Sequence, residues 1–371
     1  MITVNTIKYT NFHRQFKPLR EKILKSIIPL FESGEFILGK TLQEFEKNFT
    51  TYCGTGYALG VANGTDAIIL CLKSLNIGSG DEVITAPNSF LATVGAIVAV
   101  GATPVFIDVK EDFNIDPDLI EAAITSRTKA IIPIHLTGRP AEMNRILEIA
   151  DKHKIPVIED VAQAVGAKYY GKMVGSFGIA GCFSFHPLKN LNAAGDGGAI
   201  TTNNREVYEK IIKLRNHGLR NRNESELWGY NSRLDCIQAA VVNIKLKYLD
   251  QWNERIRNIA LKYTESLAGL VKVPRDQPYE LPVYHTFIIE CAARDELQNY
   301  LLEQGIETKI HYPIPIHLQP AAQSWGYKEG DFPVCERQGK RILSLPIYPE
   351  LTDEEVDLVI KQVKKFFEAW A

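Results

Sequence analysis

Residues 81–109 read DEVITAPNSFLATVGAIVAVGATPVFIDV. A short apolar run, DEVITAP, is followed by the helical pattern FLATVGAIVAV. TPVFIDV then reads as a second strand. The same alternation extends in both directions, from about residue 57 to 203. YALGVA precedes TDAIILCLKSL, and TKAIIPIHL precedes AEMNRILEIADKHK. IPVIED, GCFSF and GGAITT close the series. Near-continuous apolar strands separated by helices predict a mostly parallel sheet flanked by helices on both faces. The fold class is therefore α/β.

Beyond the sheet, residues 205–264 read as helical and highly charged. Residues 235–263, DCIQAAVVNIKLKYLDQWNERIRNIALKY, keep helical spacing over many turns and predict one long helix between two domains. After about residue 265, PVYHTFIIECA, DELQNYLLEQGI and TDEEVDLVIKQVKKFFEAW predict a smaller α+β domain. Three regions are expected. Residues 1–40 are an N-terminal segment packed on the small domain or on a partner chain. Residues 41–250 form the large domain and residues 251–371 the small C-terminal one.

The bulk numbers exclude whole classes. A chain of 371 residues is too long for one simple core. A net charge of −2 supplies no basic field for nucleic acid. No apolar run reaches the roughly 20 residues of a membrane helix, and the N-terminus has no signal-peptide pattern. The six cysteines are scattered, with no CxxC pair, so no metal site is expected. They read as reduced thiols of a cytoplasmic protein.

Three segments carry chemistry. In GVANGTDAIIL a strand ends, residues 63–66 turn, and a helix begins. Gly64 allows close backbone approach to a ligand. Thr65 or Asp66 would cap the helix. Free amides at a helix start favour an anion such as phosphate, although a plain capped helix fits equally well. The segment is neither a dinucleotide fingerprint nor a P-loop.

In IPVIEDVAQAVGA, Glu159 and Asp160 sit at the carboxyl end of a strand, where α/β sheets hold ligands. Alternation points one of them into the site and the other away. A carboxylate there can pair with a cationic ring nitrogen, with Gln163 on the same side, or the two acids cap a following helix. In FSFHPLKNLNAAGDGG, residues 183–198, a lone lysine separates an apolar strand from a glycine-rich turn. A lysine in that place is usually solvated. A lysine that bonds an aldehyde needs partial desolvation, which lowers its pKa towards neutrality. Together the segments offer a phosphate seat, a carboxylate for a pyridinium and a lysine for an aldehyde. Phe90 can lie over a flat ring. This set is what pyridoxal 5'-phosphate requires.

At this point the sequence resembles the DegT/DnrJ/EryC1/StrS family of sugar aminotransferases over nearly its whole length. The matching segments include NGTDA, GDEVITAPNSFLAT, GATPVFIDV, IPVIEDVAQAVGA, FSFHPLKNLNAAGDGGAI, RNHG, GYNSRLDCIQAA, HYPIPIHLQP and ILSLPIYPELT. The resemblance implies a fold-type-I, aspartate aminotransferase-like fold, pyridoxal phosphate, and a homodimer with shared active sites.

It also implies residue roles. Lys189 would bond the cofactor's aldehyde and Asp160 its ring nitrogen. Gln163 would lie near the ring hydroxyl, and Phe90 would stack on the ring. Ser184, Gly64 and Thr65 would hold the phosphate, with Asn231 reaching it from the other subunit. The bland alternative for Asn231 is a helix cap. His311 and Tyr312 would face the sugar, or serve only as loop packing. His186 replaces a tyrosine found in many members, which leaves the sugar's identity open. Lys189 stands where the family's dehydratase branch has histidine, which favours transamination. The implied reaction moves an amino group from a donor, glutamate, to a nucleotide-linked keto-deoxysugar of the 3-keto type. A cyclitol ketone as substrate, or a catalytically idle regulatory protein, are the alternatives.

Overall fold

The computed structural model describes residues 6–370. Among them seven strands form the central sheet: β1 (Tyr57–Val61), β2 (Glu82–Thr85), β3 (Thr103–Phe106), β4 (Thr128–Ile132), β5 (Ile158–Asp160), β6 (Ala180–Ser184) and β7 (Gly198–Thr202). Their order is β3-β2-β4-β5-β6-β7-β1, with the bridges Ile131–Val157 and Ile134–Asp160 joining β4 to β5. The first five in this order run parallel. β7 is antiparallel to β6 and β1. Its direction follows from its connection: residues 185–197 contain no helix, so no crossover turns the chain round.

Successive strand residues point to opposite faces, and both faces are apolar. Leu59, Val61, Val83, Ile132, Ile158, Cys182 and Ile200 lie in one core. The alternate residues Ala58, Phe183 and Ala199 lie in a second core, and Ile84 and Ile131 in a third. This is why the strands read as unbroken hydrophobic runs rather than alternating ones. The first core is closed by α3 (Gly64–Ser74), α4 (Leu91–Ala99) and α6 (Arg205–Leu214). The others are closed by α2 (Lys40–Cys53), α5 (Met143–His153) and α7 (Cys236–Leu246), while α1 (Arg20–Ser33) packs on α7 through Ile23 and Val241. All six cysteines are buried free thiols.

A separate core lies C-terminal to the sheet. An antiparallel pair, β8 (Phe287–Glu290) and β9 (Ile342–Leu345), packs with α8 (Leu249–Leu267), α9 (Arg294–Glu303) and α10 (Asp353–Trp370). Ile7 joins this core and pairs with Ile306. Arg14 grips Glu355 through two bonds of 2.6 and 2.7 Å. Ile7 and Arg14 therefore lie against the C-terminal core.

Two expectations need correction. The long helix is two helices, α7 and α8, broken at Lys247-Tyr248. α7 buries Ala239 and Val242 on the sheet, whereas α8 buries Ile256, Ile259 and Tyr263 in the other core. Two cores need two directions, and a periodicity count does not register which core a face meets. Residues 215–235 are also not helical; they hold the pair Leu219–Asn221 and Glu224–Ser225.

Glu159 pins the sheet from within. It is fully buried and accepts the amides of Gly175, Phe177 and Gly178 at 2.7–2.8 Å. His135 Nε2 lies 3.0 Å from its carboxylate, while His135 Nδ1 accepts the Ala141 amide at 2.9 Å. The imidazole proton is therefore on Nε2. Glu159→Ala should strand four buried donors and cost about 3 kcal/mol or more. The measurement is a urea melt: a lower midpoint at unchanged slope is expected, and an unchanged midpoint contradicts it.

Candidate active site

The site forms at the carboxyl edge of the sheet, where β1, β2, β5 and β6 end. β1 runs into Asn63, which caps α3 by accepting the Asp66 amide at 2.8 Å. The cap is thus Asn63, and not Thr65 or Asp66. The Asn63 side chain takes Asp66's amide, and the Ala67 amide reaches the Asn63 carbonyl. The amides of Gly64 and Thr65, in the first turn, have no protein acceptor among the described residues, as helix geometry requires. They are free for an anion.

Gly64 is needed for a spatial reason. A Cβ there would lie 2.8 Å from Ser184 Cβ. The helix start and the end of β6 are in direct apposition, which sets the Ser184 side chain beside the first turn of α3. Ser184 Oγ already accepts the His186 amide at 3.3 Å, and its proton remains available. A Cβ on Gly198, across from Ser184 on β7, would lie 2.5 Å from the Asn63 carbonyl.

Asp160 ends β5. Its Oδ1 accepts the Ala162 amide at 3.0 Å and its Oδ2 accepts the Thr93 hydroxyl at 2.7 Å. Glu159 takes the opposite face, as alternation demands. No helix follows the two acids; residues 161–167 form tight turns. Gln163 leaves the first turn, accepts the Thr137 amide at 2.8 Å through Oε1, and offers its Nε2 to Tyr312 Oη at 3.3 Å. Burial and then the charge of Asp160 push the Tyr312 phenol up to about 12, against the pull of the Gln163 bond.

Phe90 occupies the position before α4 and is 56% exposed. That excludes a core role. Its ring centroid is 5.9 Å from that of Tyr312.

Lys189 follows β6 by five residues. Its amide donates to the His186 carbonyl at 2.8 Å, and Asn192 Nδ2 donates to the Lys189 carbonyl at 3.0 Å. Next to it, Asn190 Nδ2 holds the Val283 carbonyl and Asn253 Oδ1, each at 3.0 Å. The backbone is fixed, yet Lys189 Nζ has no hydrogen-bond partner among the described residues. Burial lowers its pKa to about 8, with the Asp160 charge acting in the opposite direction. A free amine is therefore accessible near neutral pH.

Two imidazoles, those of His311 and His285, lie close enough to this amine to feel its charge. Burial and the nearby Lys189 hold His311 down to about 4. His285 is held well below its ordinary value by burial first, then by Lys189, His311 and His186. His311 Nδ1 lies 2.9 Å from Ser344 Oγ. His311 thus lies near Lys189, and Tyr312 is bonded to Gln163. His186 lies in the loop before Lys189 and is exposed.

Asn231 stands apart. It pairs with Asn216 and is exposed, and Asp235 rather than Asn231 occupies the capping position of α7.

Sequence reasoning missed Thr93, Thr137 and His285. Thr93 lies three residues after Phe90 in NSFLAT, one helical turn on, and that spacing was a readable signal. A single histidine in the apolar run VYHTFII was another. Thr137 gave none: it adopts φ 62°, a conformation that nothing in its sequence announces.

The profile of the DegT/DnrJ/EryC1/StrS aminotransferase family matches residues 18–364. The chain belongs to this family. Among its relatives, a dTDP-3-amino-3,6-dideoxy-alpha-D-galactopyranose transaminase of Aneurinibacillus thermoaerophilus is 46% identical, over 94% of this chain and 96% of that protein. A pleiotropic regulatory protein of Geobacillus stearothermophilus is 44% identical, over 96% and 97%. NtdA of Bacillus subtilis, solved with bound cofactor PMP, superimposes with a TM-score of 0.93 at 33% identity, covering 98% of this chain and 86% of that one. This family member therefore has the fold-type-I architecture and is an aminotransferase.

The anion seat is testable without substrate. Gly64→Ala should force α3 away from Ser184 and weaken pyridoxal phosphate binding by about tenfold or more, with a stability loss of about 1–3 kcal/mol. A titration of visible absorbance reads the first effect. Wild-type affinity would contradict the apposition.

Proposed function

We propose that this chain moves an amino group from glutamate to the keto carbon of a nucleotide-linked deoxysugar, a 3-keto sugar. The observation that carries the reading is the convergence of a desolvated Lys189, the Asp160 carboxylate and the Gly64-Thr65-Ser184 anion seat at one sheet edge. Pyridoxal phosphate is the cofactor of the family. The fit can be judged on the residues themselves. A phosphate matches unused amides beside a hydroxyl, at a helix start that lies against Ser184 because residue 64 carries no Cβ. A protonated ring nitrogen matches Asp160, and an aldehyde matches an amine with no competing partner among the described residues. Bound there, the cofactor supplies an electron sink for the carbanion left when the donor loses its α-proton.

The chain's own residues supply the rest. Lys189 anchors the cofactor and, once displaced, has a free Nζ with a pKa suited to proton transfer. It takes the proton from the donor's α-carbon and later returns one to the sugar carbon that gains nitrogen. Asp160 keeps a negative charge opposite the ring nitrogen. Phe90 covers the ring, and Gln163 holds its hydroxyl side. Neutral His311, with Tyr312 and His186, offers uncharged hydrogen-bonding groups to a polyhydroxylated substrate. The relative acting on a dTDP-linked 3-amino sugar supports the substrate class. The regulatory name of another relative fits an idle protein, but an idle protein has no need of an unpaired, desolvated lysine.

The site also calls for a second copy. α1 exposes Leu24, Ile28 and Phe31 at helical spacing, an apolar stripe on the outside of the molecule. Exposed Asn231 would reach the phosphate of the partner's site.

The test mixes the protein with glutamate and a panel of nucleotide-linked keto sugars and inosose, read by mass spectrometry. A nucleotide-linked 3-keto sugar should gain an amine. Lys189→Ala should lose about 10² to 10⁴ in turnover. Co-expressed Lys189→Ala and Asn231→Asp chains should recover about a quarter of the wild-type sites, because half the dimers are hybrid and each hybrid holds one intact site. Amination of inosose alone would move the reading to cyclitols. Full turnover by Lys189→Ala would remove the mechanism.

A further inference from the structure

Thr93 makes a bond that its own helix does not require. A threonine inside a helix can turn its hydroxyl back to a carbonyl one turn earlier, but Thr93 is the third residue of α4 and the residue four earlier, Ser89, lies ahead of the helix. The Thr93 hydroxyl instead leaves α4 and donates to Asp160 Oδ2 at 2.7 Å. Both groups are buried, Thr93 at 2% and Asp160 at 6% exposure. The Ala162 amide holds the other oxygen at 3.0 Å. A carboxylate with one donor on each oxygen cannot rotate about its terminal torsion without losing both bonds. A torsion of this type is otherwise broad and poorly defined.

Phe90 and Thr93 are also three residues apart at the start of the same helix. That spacing puts them on one face. Phe90 emerges into the cleft beside Tyr312, and Thr93, one turn deeper, reaches Asp160. One helix start thus delivers a ring cover and a lock for the carboxylate beneath it.

We infer that Thr93 is a positioning residue: its hydroxyl fixes the rotation of the Asp160 carboxylate so that the remaining lone pairs face the cofactor's ring nitrogen. The inference rests on the reading of Asp160 as that nitrogen's partner. Thr93 does not touch cofactor or substrate itself. Its effect passes through Asp160, and a helix-packing role alone would not produce it.

The experiment uses the full chain, stripped of cofactor and titrated with pyridoxal phosphate. Thr93→Val keeps the shape and removes the donor, Thr93→Ser keeps the donor, and Asp160→Asn is the reference. The readouts are the cofactor dissociation constant and the pH midpoint of the visible band. Thr93→Val should bind about tenfold more weakly. Its pH midpoint should move upward, because a ring nitrogen with less positive charge leaves the lysine nitrogen bonded to the cofactor more basic. Thr93→Ser should recover both values. In the Asp160→Asn background, Thr93→Val should add nothing further, since the two residues act as one unit.

If Thr93→Val matches wild type while Asp160→Asn loses affinity, the inference fails and the reading of Asp160 stands. If Asp160→Asn also matches wild type, the reading of Asp160 fails and the inference with it. Equal losses in Thr93→Val and Thr93→Ser would assign the effect to packing and overturn the hydroxyl's role. Should Thr93→Val not fold, Thr93→Ala gives the same comparison against Thr93→Ser.

Discussion

The central constraint is a half-buried amine that no described residue pairs with. Lys189 sits in a loop whose backbone is tied on every side, while its Nζ bonds to nothing in the described protein. Water removal favours the neutral amine, and the carboxylate of Asp160 opposes this only in part. A lysine left unpaired in such a place has a cost in stability. The cost is understandable if a covalent partner occupies it. Much of the surrounding structure follows from that demand. The sheet edge brings the Gly64-Thr65 amides, the Asp160 carboxylate and the loop of Lys189 to the same end of the molecule.

The two acids of β5 divide the labour. Asp160 looks into the cleft with both oxygens held. Glu159 looks into the sheet, where it ties three amides and His135 together. The same strand therefore supplies the chemistry on one side and the rigidity beneath it on the other. Precise placement of catalytic groups depends on such support. Close apposition does similar work at Gly64 and Gly198, where side chains would push the 63–64 turn away from β6 and from β7 respectively.

Much of this was legible in the sequence. Strand runs apolar on both faces announced a covered parallel sheet, and the order NGTDA, IEDVAQ and HPLKNL singled out a helix start, a carboxylate and a lysine that the fold places at one sheet edge. Other features depended on distance rather than pattern. The break between α7 and α8 reflects two separate cores, and a single periodic stretch carries no sign of which core each half meets. Asn63 rather than Thr65 caps α3 because of the side-chain geometry at the strand end. Thr93 donates to a residue 67 positions away, a pairing that no local rule contains. Thr137 holds Gln163 from a left-handed backbone, and only the packing against the 283–286 segment makes that position intelligible.

The most direct measurement follows the capture of pyridoxal phosphate by cofactor-free protein as a function of pH. Borohydride is then added and the labelled peptide identified. Only the neutral amine reacts, so the account predicts that the capture rate rises with pH through about 8 and then levels, with the label on Lys189. A rate that keeps rising towards the ordinary lysine value of about 10.4, or a label on any other lysine, would contradict it.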